Sequence, residues 1–353
     1  MFKKSKRGIY LTVAASLLLI VFLVLLPKLL VLWSGMSTTT NSENLTFLIA
    51  SPVSPEMLAD QLEKEGFISN KADLLKVASY KNLNKNRIAV GMYEIAPHTS
   101  FRTLLNGFTI NSAGNGNAEI EVPVTFNNCK TIYQMAGKVS ACLSLDSSKL
   151  ISHLLSGSTL TKYGFTVEQL PALFIPNTYK LYYDTDEKAF TQRMADEFKL
   201  FWTADRKAKM KAIGLNSPSE VTTLASIVYA EQSVNADEWP TIAGLYLNRV
   251  RTGMKLQSDP TFKFCWGDKL DGVQRLLAVH RNIVCPYNTY LVKGLPPGPI
   301  NLPSTAVLDA VLNAPRVNYL YMCASITNVG YHEFASTLKK HNNNAVKYQR
   351  WLK

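Results

Sequence analysis

The feature that most constrains this chain is an uncharged run of 18 residues, Ile9–Leu26 (IYLTVAASLLLIVFLVLL), which resumes beyond Pro27 and Lys28 as LLVLW. At about 1.5 Å per helical residue it is long enough to cross a hydrocarbon core about 30 Å thick. Lys3, Lys4, Lys6 and Arg7 precede the run, and none of the twelve residues after Lys28 is charged. Basic flanks stay in the cytoplasm, so the bulk of the chain is expected outside it. A cleaved signal peptide is the competing reading, but the run is too long for one and no small-residue cleavage site ends it. The expected order is a basic tail over 1–8, a transmembrane helix over 9–33 and a Ser/Thr/Asn-rich linker over 34–44.

The 353 residues carry a formal net charge of +12, four of whose positive charges lie in that tail. A basic surface suits nucleic acid, anionic lipid or an anionic polymer. No zinc-ligand spacing, Arg-rich helix or aromatic RNA-binding signature is present, so nucleic acid is not expected as a partner. The five cysteines include no CxxC pair and the five histidines are scattered, so neither a metal nor a cofactor is expected. Cys265 and Cys285 could bridge a loop, which spacing alone leaves open.

Beyond the linker the periodicities alternate. A strand over 45–50 precedes helical patterns near 57–62 and 72–80, a strand over 87–95 and a third helical pattern over 101–108. A Gly/Asn-rich hinge (111–117, NSAGNGN) follows, and the order partly repeats with a strand over 118–126 and helices over 131–143 and 147–155. One helix is expected over 187–211, and the remainder reads as mostly helical.

The chemistry concentrates after Ser217. Ser217-Pro218-Ser219-Glu220 predicts a helix start, with Ser217 as N-cap and Glu220 returning the capping-box bond. Val221, Leu224, Ala225 and Val228 then mark one buried face, and the next position on that stripe is Glu231. A carboxylate that continues an apolar stripe is desolvated, and a Glu kept protonated is what a general acid for glycosidic cleavage requires. It could equally pair with Arg249 or mark where the helix meets solvent. The next helix, near 240–252, carries Asn248. Gln257, Ser258, Asp259 and Pro260 predict a turn, and Tyr287, Asn288, Thr289 and Tyr290 a loop whose rings and amides suit N-acetylated sugars. Glu238, in the polar NADEWP turn, is expected to be solvated.

The stretches LASIVYAEQSVNADEWPTIAGLYLNRVRTGMKLQSDPT, YNTYLVKGLPPGPINLPS, YLYMCAS and YHEFASTLKKHN together resemble the YceG-like endolytic murein transglycosylases, across most of 174–353. The N-terminal anchor and GMYEIAPHTSFRTLLNGF fit that family's LysM-like module more loosely. The resemblance implies an α+β chain: a transmembrane helix, a LysM-like module over 45–110, a second α+β module over 118–183 and a mostly helical catalytic domain over 184–353. It implies Glu231 as catalytic acid/base, with Asn248, Gln257 and Asp259 at the family's matching Asn and Gln-x-Asp-Pro positions. Tyr287, Asn288, Thr289, Tyr290 and His332 join them as substrate-binding candidates, and His341 also falls in a matching segment. The implied reaction cleaves the MurNAc–GlcNAc bond of nascent glycan strands, leaving 1,6-anhydro ends and ending elongation, with cell-wall synthases as candidate partners. Tyr229-Ala230-Glu231 stands where many members have Glu-Lys-Glu, and Asn127-Asn128-Cys129 where many have Glu-Gly. A muramidase in which Asp259 or Asp237 activates water, and a non-catalytic glycan-binding scaffold, remain open alternatives.

Overall fold

The apolar run folds as a single helix, α1 (Lys6–Met36), of which Val13–Met36 is long and apolar enough to cross a membrane. The computed structural model describes residues 6–109, 119–270, 273 and 277–352, so the expected hinge at 111–117 and the first five residues of the tail lie outside it. The chain mixes helix and sheet and divides into two units: residues 1–122 with 180–184, and residues 123–179 with 185–353. The sequence expectation of a separate module over 118–183 differs from this division, since residues 123–179 belong with the C-terminal unit.

In the first unit, α1 is followed by β1 (Leu45–Ile49), α2 (Pro55–Lys64), α3 (Lys71–Tyr80), β2 (Gly91–Ile95), α4 (Phe101–Gly107) and the start of β3 (Glu121–Thr125). β1 and β2 pair antiparallel with Phe47 opposite Tyr93, and Phe47, Ile49, Tyr93 and Ile95 all point into the core. Phe47 meets Phe67 at 5.3 Å and Phe108 at 5.7 Å, and Tyr93 meets Phe108 at 4.9 Å. Such ring pairs add about 0.5–1.5 kcal/mol each beyond the area they bury. Gly91 leaves room for the Glu119 side chain: a Cβ there would stand 2.6 Å from Glu119 Oε1, which would have to shift.

The polar segment after α1, read from composition as a linker, is held against this unit. Thr39 N donates to Thr99 O (2.9 Å), Thr40 N to Phe67 O (2.9 Å) and Phe101 N to Ser37 O (2.8 Å). Asn41 Nδ2 reaches Ile95 O at 3.0 Å, and Ser34, Thr39 and Asn41 are buried. Small hydroxyl and amide side chains that look like a solvated tether here satisfy buried backbone groups.

The second unit runs through α5 (Ile132–Ser140), α6 (Ser147–Leu154), α7 (Gly157–Tyr163), β4 (Thr178–Tyr182), α8 (Glu187–Phe201), α9 (Ala204–Ala212), α10 (Pro218–Glu231) and α11 (Trp239–Arg251). Then come α12 (Asp259–Trp266), α13 (Ala278–Arg281), α14 (Thr305–Leu312), β5 (Tyr321–Ala324), β6 (His332–Ala335) and α15 (Leu338–Trp351). β3 pairs with β4, β5 pairs antiparallel with β6, and the boundary between the units falls inside both β3 and β4. The single helix expected over 187–211 is broken, because Thr203 caps a new one by accepting from Arg206 N (3.3 Å). Buried Trp202 forms the corner.

α10 is the axis of this unit. Val221, Leu224, Ala225, Ile227 and Val228 are buried against α11 and α14. Its start is built as the sequence predicts: Ser217 Oγ accepts from Glu220 N at 3.2 Å, a cap worth about 0.5–2 kcal/mol. The Glu220 carboxylate returns to Asn216 N (2.7 Å), one residue upstream of the expected partner. Downstream, the proline-rich loop docks on α10, with Ile300 N donating to Ser226 Oγ at 3.0 Å and Asn301 Nδ2 to Ser226 O at 2.8 Å. Cys265 and Cys285 are joined by a disulfide, closing the loop that sequence spacing left open.

Candidate active site

α10 delivers Glu231 at its last turn, where the buried stripe reaches a partly exposed position. Two hydroxyls converge on one carboxylate oxygen: Tyr246 from α11 donates to Oε1 at 2.7 Å, and Ser258 Oγ donates to the same atom at 2.5 Å. Oε2 has no protein partner among the described residues. Burial pushes the Glu231 carboxyl above its ordinary range, and the negative charge of Asp259 adds to this. The Ser258 and Tyr246 bonds and His332 pull in the opposite direction, less strongly. Tyr246 is itself buried, and burial beside the Glu231 charge holds its phenol well above the ordinary value, so it stays a donor.

Ser258 is placed by the loop expected to bind substrate. Ser258 N donates to Thr289 Oγ1 (3.0 Å), Gln257 N to Thr289 O (3.1 Å), and Thr261 Oγ1 lies 2.8 Å from Thr289 Oγ1. Gln257 adopts φ of +49°, a left-handed conformation uncommon for a residue with a side chain and concentrated at functional sites. This kink turns Ser258 toward Glu231, leaving the Gln257 side chain exposed and its amide without a protein partner among the described residues.

The sequence-derived candidates therefore divide. Thr289 and Asn288 are fully buried, and Asn288 Nδ2 is engaged by Arg281 O and Ile283 O, each at 2.8 Å. Both act as internal clamps. Asn248 Nδ2 donates to Val317 O (2.6 Å) and Tyr319 O (3.0 Å), which ties α11 to the approach of β5. Arg249, an alternative partner for Glu231, instead donates to the carbonyls of Leu320 (2.7 Å), Leu256 (2.6 Å) and Lys255 (3.3 Å). Asp259 accepts from Tyr290 OH at 2.5 Å and faces Arg281 at 3.5 Å, so both of its oxygens are engaged. Tyr287 packs on Phe264 at 4.6 Å and lines a cleft with Tyr133, Val167, Asn301 and Leu302. Burial, reinforced by Glu168, raises its phenol to about 12. His341 stacks on Tyr321 at 5.4 Å.

Glu238 corrects the expectation of a solvated residue. It is 6% exposed, and it accepts from His332 N (2.8 Å), from Gln232 Nε2 (2.8 Å) and lies 2.9 Å from His332 Nδ1. Gln232 immediately follows Glu231, so this carboxylate ties the end of α10 to the first residue of β6. Sequence reasoning had no local signal for it, since its partner lies 94 positions away.

With this geometry in place, the family can be stated: the chain belongs to the YceG-like family, whose profile matches residues 47–347. An endolytic murein transglycosylase from Streptococcus pneumoniae (strain R6) is 24% identical over 309 residues, 81% of this chain and 55% of that protein. One from Bacillus subtilis (strain 168) is 36% identical over 132 residues, 37% of this chain and 35% of that protein. The chain thus spans about half the length of the pneumococcal relative. A crystal structure of a YceG-like protein from Listeria monocytogenes shares the fold, with a TM-score of 0.54 at 22% identity, covering 86% of this chain and 99% of that one.

Proposed function

We propose that this chain is a membrane-anchored endolytic transglycosylase of peptidoglycan, with Glu231 as its single acid/base. The observation that carries the reading is the asymmetry of the Glu231 carboxylate. Oε1 already accepts from Tyr246 and Ser258, so the proton held by the raised carboxyl resides on Oε2. Oε2 donates it to the oxygen linking N-acetylmuramic acid to N-acetylglucosamine. The carboxylate, stabilised by the same two hydroxyls, then takes the proton of the muramyl C6 hydroxyl as that oxygen closes on C1. The C1–O bond breaks, the 1,6-anhydro bond forms, and no water is consumed. One carboxyl suffices because acid and base act in sequence, where ordinary glycosidases use two.

The free amide of Gln257 is the group available for the substrate's N-acetyl carbonyl, since the Asn248 amide is spent on two backbone carbonyls. Tyr287 and its cleft supply apolar surface for a sugar face. Asp259, held by Tyr290 and Arg281, keeps its turn in shape rather than activating water. We further assign the N-terminal end of α1 to the cytoplasm, the chain beyond about Ser34 to its outside, a glycan-binding LysM-like role to residues 45–110, and wall synthases as partners. Mass analysis of uncross-linked glycan digested by the purified chain tests the reaction. Product ends one water lighter than hydrolysis gives are expected. Reducing muramyl ends would mean a muramidase, and unchanged strand length a scaffold.

A further inference from the structure

The last turns of α1 continue as helix and pack on α3 and α4. Ser34 Oγ donates to Asp73 Oδ1 at 3.1 Å, with both residues buried. A Cβ on Gly35 would lie 3.8 Å from Arg102 Cβ and 3.9 Å from Val77. Trp33, one residue before Ser34, is exposed, and an exposed tryptophan at the end of a membrane helix settles at headgroup level. Two residues of helix span about 3 Å, so the backbone that carries Arg102 is fixed close to that level.

Arg102 is not alone there. One turn along α4, Asn106 Oδ1 accepts from Lys81 Nζ, at the end of α3. Arg87 Nη1 in turn donates to the carbonyls of Lys81 (3.1 Å) and Asn82 (3.5 Å). None of the three cations forms an ion pair among the described residues. Burial, then the charges of Arg102 and Arg87, hold the Lys81 ammonium below its ordinary value, as expected for cations gathered without a counter-charge. Tyr80, beside Lys81, leaves its ring exposed, a second aromatic of the kind found at lipid headgroups.

We propose that Lys81, Arg87 and Arg102 form a cradle for the phosphate of an anionic lipid headgroup, holding the first unit against the membrane surface. The inference rests on α1 being inserted as the anchor. Lipid is the occupant because the Ser34–Asp73 bond and the packing of α1 on α3 and α4 present the three charges beside the bilayer, where each basic side chain strengthens attraction to an anionic surface about fivefold.

The full chain, reconstituted in nanodiscs of phosphatidylcholine with or without phosphatidylglycerol, tests this by hydrogen exchange over residues 80–87 and 100–106. Exchange should slow when phosphatidylglycerol is present, and recover at about 0.5 M salt, where exposed charges are screened. Arg102→Gln, which removes an exposed side chain and leaves the Lys81 and Arg87 hydrogen bonds in place, should need roughly fivefold more phosphatidylglycerol for equal protection. Equal exchange in both lipids, or the same protection from inorganic phosphate in neutral discs, would overturn the cradle. Release of the chain from neutral vesicles by carbonate would overturn the anchor instead, so the two failures are separately visible.

Discussion

Ser258 and Tyr246 donate to the same oxygen of Glu231, at 2.5 and 2.7 Å, from two elements that meet only in the folded chain. Both bonds favour the ionised carboxylate, whereas burial favours the protonated one and prevails. The acid form is the one that begins the proposed reaction, and it is lost as pH rises through the raised Glu231 value. Ser258→Ala deletes a bond that lowers that value. Its alkaline limb of kcat/KM against pH should therefore move upward, with the rate at the optimum falling about tenfold for one lost hydrogen bond to a charged group. A limb that stays put or moves to lower pH contradicts the arrangement.

Asn248 and Gln257 were equal candidates in sequence, and the structure separates them. Asn248→Ala removes two bonds to the half-buried carbonyls of Val317 and Tyr319, so it should lower stability by about 1–3 kcal/mol in denaturant unfolding, with KM little changed. Gln257→Ala should leave stability within about 0.5 kcal/mol and raise KM several-fold. The reverse pattern would return Asn248 to the cleft.

Glu238→Gln should be costly in stability, because Glu238 bonds Gln232 and His332 rather than the reacting carboxyl. The amide replaces one acceptor oxygen with a donor that faces His332 and Gln232, and leaving such a buried group unmatched costs about 1–3 kcal/mol. Thermal unfolding reads this directly. A variant as stable as the parent would mean that the turn is solvated after all.

How much of this was legible in the sequence follows from where each signal lived. The α10 stripe and its Ser217 cap are local, and they placed Glu231 at the end of a buried face. Tyr246 read as one more apolar stripe residue, because its hydroxyl finds a partner only across a helix pair. Asn288 and Thr289 read as ligands because amide and hydroxyl groups suit N-acetylated sugars, whereas here both are buried, Thr289 holding Ser258 and Asn288 bonding the carbonyls of Arg281 and Ile283. The break at Trp202 was hidden by a helical periodicity that runs through it, and the Thr203 cap was the overlooked sign. The segment at 34–44 has the composition of a tether, and only tertiary bonds reveal that it is pinned.

The central claim is that the Glu231 carboxyl moves the proton in both half-steps, and Glu231→Gln measured for anhydro-end formation tests it most directly. Gln keeps the size of Glu and an oxygen able to accept from Tyr246 and Ser258, so the variant should fold and fractionate like the parent. Because the Glu231 value is raised in the folded state, its favourable contribution to stability is present at acid pH and lost as pH rises through that value; Gln has no such loss, so the variant should gain relative stability at alkaline pH. Cleavage should fall by at least about 10⁴-fold, the upper end of general acid–base assistance, since one group serves twice. A folded Glu231→Gln protein that still forms anhydro ends at near-parental rate would contradict the account.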